Sequence, residues 1–335
     1  MALLVVTTEK SGVDKYSQEL ARRLDVKTVE SRRYLSLIEG YQLSRLLGSQ
    51  DGIIHLPNQN FARYALLVKN PYIVTVHDLV RLCFGFTKES ISERIMLKLD
   101  IRGIKRASHI IAISQTTRKD LIKYLKIPDD RISVIYNGID HSLLKPYKVR
   151  LFDKPYILYV GSERPRKNLG RLFEAFAVLR KEFPELLLVK VGVAGRTREY
   201  RQEIMRKLDS LRIAPAVIFV EYVSELDLAY YYSSAALLAY PSFYEGFGFP
   251  PLEAMACGCP AVTSDTSSLP EVVGEAGIMF NPYDTDSLVE AMRKVLTDSE
   301  LRDDMVRKGL EQAEKFSWER TARETQEVYN KVTSG

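Results

Sequence analysis

Residues 156–191 read YILYVGSERPRKNLGRLFEAFAVLRKEFPELLLVKV. Tyr156–Val160 and Leu186–Val191 are short runs, apolar nearly throughout. Between them Leu169, Leu172, Phe173, Phe176 and Leu179 recur at helical spacing. A strand that is apolar on almost every residue has both faces buried, as in a parallel sheet covered by helices. Strand, helix and strand in that order imply a right-handed crossover and a doubly wound α/β sheet.

The same pattern extends outward from this unit. Toward the C-terminus lie Val217–Val220, Ala235–Ala239, Pro260–Thr263 and Gly277–Phe280. Toward the N-terminus lie Leu3–Val6, Gly52–Leu56, Tyr72–Val76, His109–Ile113 and Ile132–Ile135. The series breaks where Asp140-His141-Ser142, Pro146 and Pro155 interrupt any periodicity. A linker is therefore expected at 141–154. It would join two doubly wound, Rossmann-like domains, 1–147 and 148–315, facing across a cleft. Ligands of such sheets bind at the carboxyl ends of the strands. A final helix is expected from Trp318 to Val332, with 316–335 packing back toward the first domain.

Composition narrows the class. A length of 335 residues suits about two domains. Cys83, Cys257 and Cys259 are too few for a disulfide framework, and the C-x-C pair in an apolar run reads as packing. No stretch is long and apolar enough to span a bilayer, and the N-terminus shows no basic leader, so a cytoplasmic protein is expected. Charge is uneven: residues 1–147 hold 23 Lys+Arg against 15 Asp+Glu, and the remainder 25 against 28. The basic front half is either a solvated surface or a face for an anionic partner.

The stretch Glu245-Gly246-Phe247-Gly248-Phe249-Pro250-Pro251-Leu252-Glu253 carries the densest chemistry. It follows an apolar strand and the turn Tyr240-Pro241-Ser242. Pro251 suits the first turn of a helix, which would end at Gly258. Glu253 is then expected in that first turn, where the helix dipole favours its ionised form. A carboxylate held there can take two hydrogen bonds from a ribose diol. Gly246 and Gly248 let the backbone approach a ligand, and the helix N-terminus suits a diphosphate. Glu245 is expected on the loop, free to reach a sugar hydroxyl. Paired carboxylates also suggest a glycosidase, but the glycines and helix start between them favour a phosphate cradle.

The stretch resembles the E-x7-E motif of the family 4 glycosyltransferases, retaining enzymes with the GT-B fold. Tyr159-Val160-Gly161-Ser162-Glu163-Arg164-Pro165-Arg166-Lys167-Asn168 is similar to the family's strand-loop. Ser133 to Asp140, Ala112-Ile113-Ser114 and Thr75-Val76-His77-Asp78 match further family segments. The resemblance covers nearly the whole chain. It implies transfer of a hexose from a nucleotide-sugar, of the GDP-mannose or UDP-hexose type, to a sugar or lipid-linked acceptor. It implies no cofactor and no metal.

By the same resemblance Lys167 binds the donor diphosphate. Many relatives carry an Arg where this chain has Ser162, so Arg166 or Arg164 supplies the second charge. Gly246, Phe247, Gly248 and Phe249 line the donor, and the backbone at Tyr222 and Val223 meets the nucleobase. His77 contacts the transferred sugar, and Ser11 with Gly12 forms the acceptor-side phosphate loop. Glu245, Lys167 and His77 are the implied catalytic groups.

Other readings are weaker. NAD-linked redox chemistry lacks a G-x-G-x-x-G after the first strand. Nucleic-acid binding lacks a basic motif interleaved with aromatics. Asp284-Thr285-Asp286 looks like a D-x-D metal motif but stands where Asp caps a helix. The segment Ile91–Arg106 carries Arg94, Lys98, Arg102, Lys105 and Arg106 at helical spacing, with Ile91, Ile95, Leu99 and Ile104 between. It reads as an ordinary amphipathic helix packed on the sheet; peripheral contact with an anionic membrane is the alternative.

Overall fold

The computed structural model describes residues 2–8, 12–32, 35–84, 90–195 and 198–334. The chain divides into two compact units: Met1–Gly138 with Phe316–Gly335, and Ile139–Lys315. The division falls after Gly138, before the expected linker. The reason is packing: the Pro146-containing stretch lies against the second unit, where Tyr147 N donates to Ser233 Oγ (3.1 Å) and Leu144 is buried.

The first unit has strands β1 (Leu3–Thr7), β2 (Lys27–Ser31), β3 (Ile54–Leu56), β4 (Tyr72–Val76), β5 (His109–Ala112) and β6 (Ile132–Val134). They pair in parallel in the order β2-β1-β3-β4-β5-β6. Side chains alternate between two apolar layers. Val74, Val76 and Ile110 join one, Ile73 and Ile111 the other. Val328 and Tyr329 of the helix Trp318–Ser334 close the second layer, so the end of the chain completes the first unit.

Strand β2, sequence KTVES, was not expected. It is an edge strand whose Lys27, Thr28 and Glu30 are exposed and whose Val29 and Ser31 are only half-buried, so it lacks the apolar run that marks its neighbours.

The second unit has β7 (Tyr156–Val160), β8 (Leu187–Val191), β9 (Val217–Val220), β10 (Leu237–Tyr240), β11 (Ala261–Ser264) and β12 (Ile278–Phe280). All are parallel, in the order β12-β11-β10-β7-β8-β9. The order reverses between β7 and β10, which is where open α/β sheets leave a crevice at the carboxyl ends of their strands. Leu169, Leu172, Phe173, Phe176 and Leu179 are all buried on the helix Leu169–Glu182, as their spacing required.

Cys257 and Cys259 are buried free thiols. Burial pushes the Cys257 thiol up to about 12, which leaves it an inert packing group. Asp284 caps the helix Thr285–Thr297 by accepting from Asp286 N at 3.0 Å.

Candidate active site

The loops after β7 and β10 flank the point where the second sheet reverses its order. The first contains Lys167, the second Glu245, and the two side chains meet: Lys167 Nζ lies 2.6 Å from Glu245 Oε1. Arg166 Nη1 lies 3.0 Å from Glu245 Oε2 and donates to the carbonyl of Tyr244 at 2.7 Å. Lys167 Nζ also donates to the Tyr240 hydroxyl at 2.5 Å. Burial alone would raise the Glu245 carboxyl. The Lys167 ammonium and Arg166 guanidinium override it and hold the group down at about 2. Burial pulls Lys167 below its usual range, while Glu245 pulls it back.

Glu245 is therefore not free on its loop. Its side chain is buried and pairs with both cations. Arg164 projects from the same loop with an exposed side chain, and Arg166 is the arginine beside Lys167. Ser162 is half-buried just beyond β7.

The Glu245 loop is fastened by residues the sequence reading passed over. Glu245 N donates to Ser267 Oγ at 2.9 Å. Ser268 Oγ lies 2.9 Å from the Glu245 carbonyl and 2.6 Å from that of Phe247. Phe243 N donates to the Arg166 carbonyl at 2.8 Å, which ties the loop after β10 to the loop after β7. Phe247 is buried and meets Phe249 edge-on at 5.2 Å. Gly248 has φ +118, and a Cβ there would stand 2.9 Å from Leu269 Cδ2, so only glycine fits.

The helix begins earlier than expected, at Phe249, with Pro250 and Pro251 both inside its start, and runs to Ala256. Glu253 consequently lies in the second turn, beyond the strongest reach of the helix dipole. A tertiary contact orients it instead: the buried Tyr232 hydroxyl donates to Glu253 Oε2 at 2.8 Å. Gly246 is half-buried between these fastenings. Tyr222 and Val223 follow β9 at the sheet's edge, where Tyr222 is 72% exposed.

A second buried charge group braces the β7 loop. Glu163 is ion-paired with Lys190 at 3.1 Å and with Arg201. Lys190 sits inside the otherwise apolar strand β8 and also donates to the Val193 carbonyl at 3.3 Å. A lysine within a buried strand is the signal that could have revealed this group, because such a charge must be paired.

In the first unit His77 stands just past β4, buried. Its Nε2 lies 2.8 Å from the Pro57 carbonyl, which can only accept, so Nε2 bears the proton. A neutral ring then carries its lone pair on Nδ1. Tyr16 packs edge-on to His77 at 5.2 Å. The Tyr16 hydroxyl bonds Thr75 Oγ1 (3.0 Å), which bonds His55 Nε2 (2.8 Å), and His55 Nδ1 bonds the Tyr329 hydroxyl (2.6 Å). Burial, with His77 nearby, pushes His55 down to about 3, so this second histidine is neutral. Gly12 opens the helix Gly12–Arg23, while Ser11 lies outside the described residues.

Comparison with known proteins gives the family and the fold. Residues 147–312 match the family described as glycosyl transferases group 1, and residues 3–143 match glycosyltransferase family 4. The chain belongs to the family 4 glycosyltransferases. It is 32% identical over 320 residues to the O-antigen chain mannosyltransferase B of Escherichia coli, covering 89% of this chain and 81% of that one. Sucrose-phosphate synthase of Thermosynechococcus elongatus superposes with a TM-score of 0.82 at 21% identity, over 99% of each chain. Anabaena HepE in complex with UDP-glucose superposes with a TM-score of 0.83 at 18% identity, over 98% of this chain and 99% of that one. The fold is GT-B, and the chain is a retaining hexosyltransferase.

Proposed function

We propose that this glycosyltransferase moves a hexose from a nucleoside-diphosphate sugar, of the GDP-mannose or UDP-hexose type, to a hydroxyl of a growing glycan or lipid-linked acceptor. The observation that carries the reading is the Lys167–Arg166–Glu245 cluster at the reversal point of the second sheet. Two cations held by one carboxylate form a site that gains when a diphosphate brings further negative charge. The O-antigen mannosyltransferase relative supports mannose and a glycan acceptor, and the UDP-glucose complex of a neighbour supports a nucleotide-sugar.

In this reading Glu253, oriented by Tyr232, takes the ribose diol. Lys167 and Arg166 take the diphosphate, with Gly246 to Phe249 providing close backbone. The loop at Tyr222 and Val223 meets the nucleobase. Glu245 keeps Lys167 and Arg166 in place and offers its carboxylate to a sugar hydroxyl. His77 meets the sugar, Nδ1 accepting from its 6-hydroxyl, and Gly12 lines the acceptor side. The acceptor oxygen bonds to the anomeric carbon on the face that the diphosphate leaves, and its proton passes to the leaving phosphate oxygen. The protein contributes position and positive charge, so no divalent ion is required.

The experiment is donor-dependent release of GDP or UDP in the presence of EDTA, preceded by a thermal-shift screen of GDP, UDP and ADP. A matching nucleotide should raise the melting temperature by mass action. No shift with any nucleotide, together with no release, would overturn the reading. With a lipid-linked acceptor the enzyme would work at the cytoplasmic face of a membrane; with a free sugar acceptor it would work in the cytoplasm.

A further inference from the structure

The ammonium of Lys167 is a charge on a flexible stem, and its protons turn freely about the Cε–Nζ bond unless something holds them. An N–H aimed at a leaving phosphate lowers the barrier only if it is in place before the charge develops. Two partners hold Lys167 Nζ. Glu245 Oε1 lies 2.6 Å away, and the Tyr240 hydroxyl accepts from Nζ at 2.5 Å. Among the described residues Nζ has no third acceptor. The ammonium has three protons, so fixing two of them leaves one direction for the last.

Tyr240 is well built for this task. It ends β10 and is 1% exposed. Its ring lies nearly parallel to that of Tyr159 in β7, with centroids 6.2 Å apart and 25° between the planes. Lys167 Nζ also lies 4.9 Å from the Tyr240 ring centroid. Burial, with the Glu245 charge adding to it, raises the Tyr240 phenol well above its ordinary range. The hydroxyl therefore stays neutral, and it accepts from the ammonium while bonding to the Glu245 carboxylate. Lys167, Tyr240 and Glu245 close a triangle. A hydroxyl buried at the end of the apolar strand LLAY is costly unless bonded, and both of its bonds here go to charged groups.

We infer that Tyr240 is a positioning residue for the transfer: its hydroxyl holds the Lys167 ammonium so that the remaining N–H faces the donor diphosphate. This rests on the donor site proposed above. Tyr240 acts through Lys167 and does not itself meet the donor. Negative charge on the leaving oxygen grows toward the transition state, so an aimed N–H gains more there than in the ground state. The loss on removing the hydroxyl therefore falls on kcat rather than on the donor KM.

The test is Tyr240→Phe, which deletes one oxygen and keeps the ring that stacks on Tyr159 and underlies Lys167. In the nucleotide-release assay kcat should fall about tenfold or more, with the donor KM within about twofold. The thermal shift given by GDP or UDP, whichever stabilises wild type, should be unchanged. In a Lys167→Ala background there is no ammonium to aim, so Tyr240→Phe should cost less than about twofold more. Tyr159→Phe removes a neighbouring phenol oxygen that makes no hydrogen bond among the described residues, and kcat should stay within about twofold. Active protein is counted by nucleotide titration, so partial unfolding cannot imitate a loss of kcat. Where Tyr240→Phe does not fold, Lys167→Arg replaces it: the planar guanidinium keeps the charge but not the pair of bonds, and kcat should fall about tenfold. Wild-type kcat in the variant used, a loss confined to KM, an equal loss in the Lys167→Ala background, or an equal loss in Tyr159→Phe would overturn the inference. Those results with an inactive Lys167→Ala remove only the role of Tyr240, whereas an active Lys167→Ala removes the donor site with it.

Discussion

The two candidate regions are supported in opposite ways. In the second unit, charged groups are held by partners on loops next to them in the sheet. Lys167 and Arg166 follow β7, Glu245 follows β10, and β7 and β10 are hydrogen-bonded neighbours. In the first unit, His77 is backed by a neutral network: Thr75 on its own strand, with Tyr16, His55 and, on the last helix, Tyr329 from distant parts of the chain. The first arrangement concentrates free energy in a few charges. The second spreads it through a hydrogen-bonded layer. Single substitutions should therefore be severe in one and graded in the other.

Lys167→Ala should break the comparison open most clearly. Loss of charge at the leaving diphosphate should lower turnover by about a hundred- to a thousandfold, read in a nucleotide-release assay. Glu245→Ala should match it and also destabilise the fold by about 3–5 kcal/mol, because it leaves the buried Lys167 and the partly buried Arg166 without their counter-charge. Near-normal turnover in both variants would remove the cluster from the chemistry.

Tyr232→Phe tests whether the second unit also depends on less obvious support. Glu253 would lose the bond that orients it, and the KM for donor should rise about tenfold with kcat little changed. An unchanged KM would mean that the helix alone places Glu253.

Tyr329→Phe probes the spread-out network of the first unit. It leaves His55 Nδ1 without its partner and should cost about 1–3 kcal/mol, seen as a lower melting temperature. Turnover should fall only a few-fold. A loss as large as that of Lys167→Ala would show that the neutral layer concentrates energy after all.

The last effect shows only in acid. Glu245 sits at about 2 when folded against an ordinary 4.5, so its stabilising contribution is complete above the ordinary value and is lost as pH falls from about 4.5 toward about 2. Acid unfolding followed by circular dichroism should show Glu245→Gln with a shallower dependence in that window.

Much of this was legible in advance. Buried parallel strands are apolar on both faces and announce themselves, whereas the half-exposed edge strand Lys27–Ser31 does not. Lys167, Arg166 and Glu245 stood out because charge and glycine follow apolar strands. Ser267, Ser268 and Tyr232 gave no such sign, since a serine or tyrosine becomes a fastening only through what packs beside it. The helix Ile91–Arg106 misled for a related reason. Its spacing showed an apolar stripe, but Gly103 and the Asp100–Arg63 pair decided which side turned inward.

The sequence by itself determined the alternation of strands and helices, the family, and the loops that carry the reactive groups. These are local properties: periodicity and turn chemistry act over a few residues. Only the tertiary structure decided that Glu245 is bound rather than free, that Glu253 is aimed by a tyrosine rather than a helix dipole, and that the last helix supports His77. Each depends on contacts between residues far apart in the chain, whose burial and pairing set the charge and orientation that the linear order leaves open.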